Sequence, residues 1–107
     1  MKTILANAFS LQMLNTRKVN AITTKPLSIE EVRETLAQGF TSAVGHADTA
    51  RILSNMLDTN IEAARVNVSL DTYTQLIVAQ VIGGRLPEGC TELPEGIEIQ
   101  FLQVVLY

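Results

Sequence analysis

The sequence predicts an α/β chain, a single domain in which a mixed β-sheet is flanked by helices. Three observations carry that expectation. Short apolar segments near both ends read as strands, and two central stretches repeat at helical spacing with their own start signals. No linker, internal repeat or low-complexity run divides the 107 residues. A chain of this length buries about two-thirds of its unfolded surface, so one core suffices without disulfide or metal staples.

Residues 2 to 9 read as a strand, and their mostly apolar character places it inside the sheet rather than at its edge. Ser10 offers an N-cap for a short helical turn through Leu14, released at Asn15-Thr16. Residues 17 to 24 form a second strand candidate, with Val19, Ala21 and Thr23 on one face and Ile22 on the other. Ser28-Ile29-Glu30-Glu31 spells a capping box, with Leu27 and Val32 placed as a hydrophobic staple and Gly39 as a terminator. A helix over residues 29 to 38 follows. Residues 40 to 44 are extended and deliver the chain to Gly45-His46. Thr49, Ile52, Leu53, Met56 and Leu57 then recur at helical spacing, which predicts a helix over residues 48 to 58 starting at Ala47 or Asp48. Residues 65 to 70 alternate as a strand, Asp71-Thr72 suits a hairpin turn, and residues 73 to 82 form the next strand. Gly83-Gly84 breaks it, and residues 97 to 106 close the chain as a strongly apolar strand. The stripes through Ile52, Leu53 and Met56, and through Val104 and Leu106, read as core.

Composition narrows the function classes. Eleven acidic and eight basic residues give a formal charge of −3, which disfavours a sequence-blind binder of long DNA or RNA. A small anion in a local basic pocket stays allowed. One cysteine, Cys90, and one histidine, His46, cannot build a zinc cluster or an internal disulfide, so a reducing interior is the easier home. The first residues turn polar too early for a signal peptide, and no stretch approaches the roughly 18 apolar residues of a membrane span. The expected location is the cytoplasm, that of a host if the source is a virus.

Three constellations are candidates for chemistry. Gly45-His46-Ala47-Asp48-Thr49-Ala50 puts a lone histidine at a helix mouth, where backbone N–H groups and the macrodipole favour an anion. A histidine there can protonate a leaving oxygen, but it also suits a plain cap or surface residue. Gln80-Val81-Ile82-Gly83-Gly84-Arg85-Leu86-Pro87-Glu88-Gly89 places an arginine fork after a strand end, with Glu88 in reach to hold Arg85. The same residues suit a turn with a surface ion pair of little energetic weight. Asn7-Ala8-Phe9-Ser10 brings polar side chains to the end of the first strand, although an N-cap role alone explains Ser10. Arg65, opening its strand, is either a ligand-facing cation or an exposed strand-end charge. No serine or cysteine triad and no Walker-type phosphate loop is present. On physical grounds alone the sequence describes an α/β domain with a possible phosphate site around His46.

Leu5-Ala6-Asn7-Ala8-Phe9-Ser10-Leu11-Gln12-Met13-Leu14, then Gly45-His46-Ala47-Asp48-Thr49, then Arg85-Leu86-Pro87-Glu88-Gly89, in this order and at these separations, resemble the viral anti-CRISPR ring nucleases. That family occurs in archaeal viruses, in phages and beside some type III CRISPR loci. The resemblance covers nearly the whole chain, although residues 17 to 38 match only in pattern. It implies a homodimer that binds cyclic tetra-adenylate across the subunit interface and degrades it without metal or cofactor. It also implies His46, Arg85 and Glu88 as catalytic residues. Asn7, Ser10, Gly45, Arg65, Gln80 and Gly84 are the implied substrate contacts, with Ala64 standing where the family pairs an asparagine with the arginine of Arg65.

The implied reaction suits these residue types. A ribose 2′-hydroxyl attacks its own phosphate, His46 protonates the departing 5′-oxygen, and linear di-adenylates with 2′,3′-cyclic phosphate ends result. Arg65, Arg85 and helix N-termini are expected to concentrate positive potential in one cavity, with Glu30, Glu31 and Asp58 facing away. Two other classes stay open: a module that sequesters a cyclic nucleotide without cutting it, and a viral structural or host-interaction protein built on an apolar dimer surface.

Overall fold

In the computed structural model, which describes residues 1–14, 17–18 and 21–107, the first apolar run becomes β1 (Lys2–Ala6), buried on both faces from Thr3 onward. A 3-10 turn (Leu11–Met13) follows, then β2 (Ile22–Leu27), α1 (Ile29–Ala37), β3 (Thr41–Ala43), α2 (Ala47–Leu57), β4 (Thr74–Ile82) and β5 (Glu98–Leu106). The five strands form one mixed sheet in the order β2-β5-β4-β1-β3. β1 runs parallel to β3 and β4, whereas β5 is antiparallel to both β4 and β2. β1, β4 and β5 are therefore interior strands, and the apolar run of β1 matches its burial on both faces.

The helices form where the signals stand. Ser28 Oγ accepts from Glu31 N at 3.1 Å while Glu31 Oε1 accepts from Ser28 N at 3.1 Å, closing the capping box. Gly39, at φ +109, supplies the left-handed turn that ends α1 after the Gln38 cap. α2 starts at Ala47 with His46 as its N-cap, and Asp58 closes it at φ +49. Each helix differs from the expected range only by a residue at an end.

Both helices lie on the same face of the sheet. Val32 and Leu36 of α1 and Ala50, Leu53 and Leu57 of α2 pack on Leu5, Ile77, Ala79 and Phe101. The opposite face carries Ile4, Ala6, Leu76, Val78, Val104 and Leu106, covered by Phe9, Met13, Leu14, Val68 and Leu70 from loops.

Four expectations need correction. The first strand stops at Ala6 instead of residue 9, because Asn7 turns its side chain to Gly45 and Phe9 leaves to pack on the loop-covered core. The strand expected over residues 17 to 24 lies at Ile22–Leu27, where Ile22 faces Leu106 and Leu27 faces Phe101; Val19 lies outside the described residues. Pro26 is tolerated because β2 is an edge strand. No strand forms over residues 65 to 70. Alternation there reports increasing burial from Val66 to Leu70, but the segment has no ladder partner beyond single bridges at Ala63 and Leu70. Asp71-Thr72 is consequently not a hairpin turn. Asp71 Oδ1 instead accepts from Tyr73 N and Thr74 Oγ1, both at 2.9 Å, and launches β4.

Two outcomes follow for stability. Leu53, fully buried between α2 and the sheet, is expected to cost about 2–5 kcal/mol as Leu53→Ala, read by chemical denaturation. The Ser28 hydrogen bonds, backbone first, hold the Glu31 carboxyl below its ordinary pKa of 4.5. A carboxylate with a depressed folded pKa stabilises the fold above its ordinary value, and that contribution is lost as pH falls through the folded value. The melting-temperature gap between wild type and Glu31→Gln is therefore expected to be constant above about pH 4.5 and to close in more acidic buffer.

Candidate functional site

Three of the singled-out segments leave the sheet at the same end. Asn7 follows β1, Gly45-His46 follows β3 and Gly83-Gly84 follows β4, and these three strands run parallel. Open α/β sheets bind ligands beyond the carboxyl ends of such strands. A cavity of about 890 Å³ lies there, within the range of small-molecule sites. Its floor is the sheet face without helices, presenting Val78, Leu102, Val104 and Gln80, with Thr24 reaching in from β2. Asn7 and Phe9 form one wall, His46, Asp48 and Thr49 of the α2 entrance a second, and Gly84, Arg85, Leu86 and Glu88 a third.

His46 is exposed and its imidazole makes no capping hydrogen bond, so it is not consumed by the helix it starts. Among the described residues no other side chain caps that end, and the first-turn N–H groups of α2 face outward from the helix, where an anion is favoured. The position of His46 is set through Gly45. Asn7 Oδ1 accepts from Gly45 N at 3.1 Å, and Arg65 Nε donates to Gly45 O at 3.0 Å.

Gln80, Gly84, Arg85 and Glu88 join His46 and Asn7 around the cavity. Ser10, Gly45 and Arg65 do not line it. Ser10 accepts from Gln12 N at 3.2 Å and caps the 3-10 turn, the role an N-cap serine has without any ligand. Arg65 supports Gly45 with its Nε, while its two terminal nitrogens have no partner among the described residues. Arg85 and Glu88 are both exposed and are not ion-paired, so Glu88 does not hold Arg85. The lining charges are mixed: Asp48 and Glu88 stand beside His46 and Arg85, whereas Arg65, expected to add positive potential there, lies outside the lining and Glu30, Glu31 and Asp58 do not border it.

Several lining residues had no signal of their own. Thr24 arrives through strand register, and Val104, which reads as core, is at once buried and part of the floor. Asp48 reads only as a helix start, yet its Oδ2 accepts from Gly89 N at 2.8 Å across 41 residues of sequence. Among the described residues no group of three or more His, Cys, Asp or Glu side chains is placed to hold a metal ion. No helix among them is long and apolar enough to cross a membrane.

A model of the STIV B116-like family matches residues 3–101. The chain is 37% identical over 97 residues to uncharacterized protein 26 of Sulfolobus islandicus filamentous virus (isolate Iceland/Hveragerdi), covering 84% of this chain and 81% of that protein. The fold is also similar to that of B116 of Sulfolobus turreted icosahedral virus, with a TM-score of 0.81, 25% identity and coverage of 98% of this chain and 99% of that one.

The glycines of the site differ in what they tolerate. A Cβ on Gly83, at φ +102, would collide with the Gly96 carbonyl oxygen, whereas one on Gly45 would meet Arg65 Cγ at an ordinary 3.6 Å. Gly83→Ala is expected to cost about 1–3 kcal/mol. Gly45→Ala is expected to stay within about 1 kcal/mol of wild type, small enough that paired urea titrations separate the two.

Proposed function

We propose that this chain, which belongs to the STIV B116-like family, is a metal-independent ring nuclease that cleaves cyclic tetra-adenylate within a homodimer. One observation carries the reading. A single cavity collects a histidine whose imidazole makes no capping hydrogen bond, an arginine without an ion-pair partner among the described residues, and a helix N-terminus without a side-chain cap, above a mostly apolar floor. A phosphodiester suits the polar rim, and adenine faces suit Phe9, Leu102 and Val104 below it.

The nucleophile in this reaction belongs to the substrate. A ribose 2′-hydroxyl loses its proton to solvent and attacks the adjacent phosphorus, the bond from phosphorus to the 5′-oxygen breaks, and a 2′,3′-cyclic phosphate remains, with solvent returning a proton to His46 after turnover. Holding those atoms in line is the principal task. A protonated His46 gives its proton to the departing 5′-oxygen, a contribution of about 10²–10⁴-fold. Arg85 and the first-turn N–H groups of α2 stabilise the charge that gathers on the phosphoryl oxygens. Glu88, not engaged by Arg85, is free to accept a ribose hydroxyl. A four-nucleotide ring has room for a two-fold axis, so two copies of the chain present one His46 to each of two opposite phosphates. Two linear di-adenylates leave.

A second reading has its own support: His46 lacks a neighbour that orients its ring, as expected of a protein that sequesters the ring without cutting it. Incubation with cyclic tetra-adenylate in EDTA, followed by chromatography, separates the two. The nuclease yields di-adenylates with cyclic phosphate ends, and His46→Ala slows this at least about 10²-fold while the ligand still raises the melting temperature. Stabilisation of wild type by a ring that stays intact points to sequestration. Equal turnover by wild type and His46→Ala overturns the assigned role of the imidazole.

A further inference from the structure

The segment from Gly83 to Ile97 joins β4 to β5 through 15 residues that form turns and bends but no helix or strand, and it carries two charged lining side chains, Arg85 and Glu88. Hairpin connections between antiparallel neighbours are usually about two to five residues, so a loop of this length in a small domain is uncommon. Its base is pinched where Gly83 approaches Gly96. Inside it, Cys90 N donates to Pro87 O and Ile97 N to Pro94 O, contacts that shape turns without fixing the loop to the domain.

Two side chains of α2 do fix it. Asp48 Oδ2 accepts from Gly89 N at 2.8 Å, and Asn55 Nδ2 donates to Thr91 O at 3.5 Å. Positions 48 and 55 are seven apart and share one helix face, so the loop lies along that face. The Asp48 contact is the shorter, and it joins a charged acceptor to an N–H, a stronger kind of hydrogen bond than a neutral pair. Arg51 Nη1, 3.4 Å from Asp48 Oδ1, braces the carboxylate from the other side.

From this geometry we infer that Asp48 is a positioning residue: it fixes the loop carrying Arg85 and Glu88 against the entrance of α2, beside His46. The inference rests on the proposed cleavage for its catalytic consequence and on the Gly89 hydrogen bond for its structural one. Gly89 follows Glu88 directly and is four residues from Arg85, so the anchor lies within the same short turn as the groups it places. Neither of those groups has another side-chain partner to hold it. Freed at Gly89, the turn lets Arg85 wander by an ångström or more, a displacement that costs about 10²-fold in a positioned reaction.

Two substitutions and two readouts test this. Asp48→Ala removes the acceptor, whereas Asp48→Asn keeps an oxygen for the Gly89 N–H and loses only the charge. In ligand-free protein, amide exchange at Gly89 is expected to rise at least tenfold in Asp48→Ala and to return near wild type in Asp48→Asn, with the exchange of α2 core amides unchanged. In the cleavage assay, Asp48→Ala is expected to lower kcat at least tenfold with a smaller change in KM, and Asp48→Asn to restore most of it. Unchanged Gly89 exchange in Asp48→Ala overturns the inference, as does an Asp48→Asn variant as impaired as alanine in both readouts. Should wild type leave the ring intact, the proposed activity falls, and the exchange comparison still decides whether Asp48 anchors the loop.

Discussion

The mouth of the cavity depends on the way Gly45 is held. Its N–H is taken by Asn7 at the end of β1 and its C=O by Arg65 from the segment after α2, so both polar atoms of one residue are fixed from opposite directions. β3 needs such help. It is three residues long and has only β1 as a strand partner. Residues 62 to 65 therefore run along its outer side, where Ser42 Oγ donates to Glu62 O at 2.6 Å and Ala64 N donates to Val44 O at 2.8 Å. An open edge is covered in this way, and the residue that opens α2 receives a defined place. Arg65, read from sequence as the start of a strand, is the last contact of this edge cover.

The cavity exists because the sheet is dressed differently on its two faces. Both helices serve the face of Leu5, Ile77 and Phe101. The other face is covered only part of the way, by Phe9, Met13, Leu14, Val68 and Leu70, and the uncovered remainder toward the strand ends becomes the floor. A residue such as Val104 can thus belong to the core and border the cavity at once. Helix on one side and partial loop cover on the other is what leaves a cavity on this sheet.

Features written in local chemistry were legible from sequence. The capping box at Ser28 and Glu31, the terminating Gly39, the helical spacing of Ile52 and Leu53 and the apolar last strand each declare themselves within a few residues, because the interactions that cause them are local. The gathering of Asn7, His46, Gln80, Arg85 and Glu88 at one cavity was implied by the family resemblance, whereas the motifs read by themselves reached only a phosphate site around His46. What was not legible depends on partners far away in the chain. Val66, Val68 and Leu70 alternate like a strand, but alternation fixes which side is buried and says nothing about whether a ladder partner is available. Ser10 could serve a turn or a ligand with equal chemistry, and the Gln12 N–H takes it. The link from Asp48 to Gly89 spans 41 positions and leaves no periodic trace.

Charge at this site is governed by arrangement more than by sum. A chain with a formal charge of −3 is a poor partner for a polyanion if the acids act together, but charges beyond about 8 Å are largely screened at physiological salt. Glu30 and Glu31 sit at the start of α1 and Asp58 at the far end of α2, none of them against the cavity. Of the two acids that do line it, Asp48 already faces the Gly89 N–H and Arg51, so its charge is directed into the protein's own contacts. His46, Arg85 and the α2 N-terminus are not engaged in that way. The Gly89 hydrogen bond therefore also occupies the carboxylate closest to the helix entrance, and the surrounding donors are left out of that contact. One side chain serves placement and electrostatics together, which is why an acidic residue is tolerable at the mouth of a site proposed for an anion.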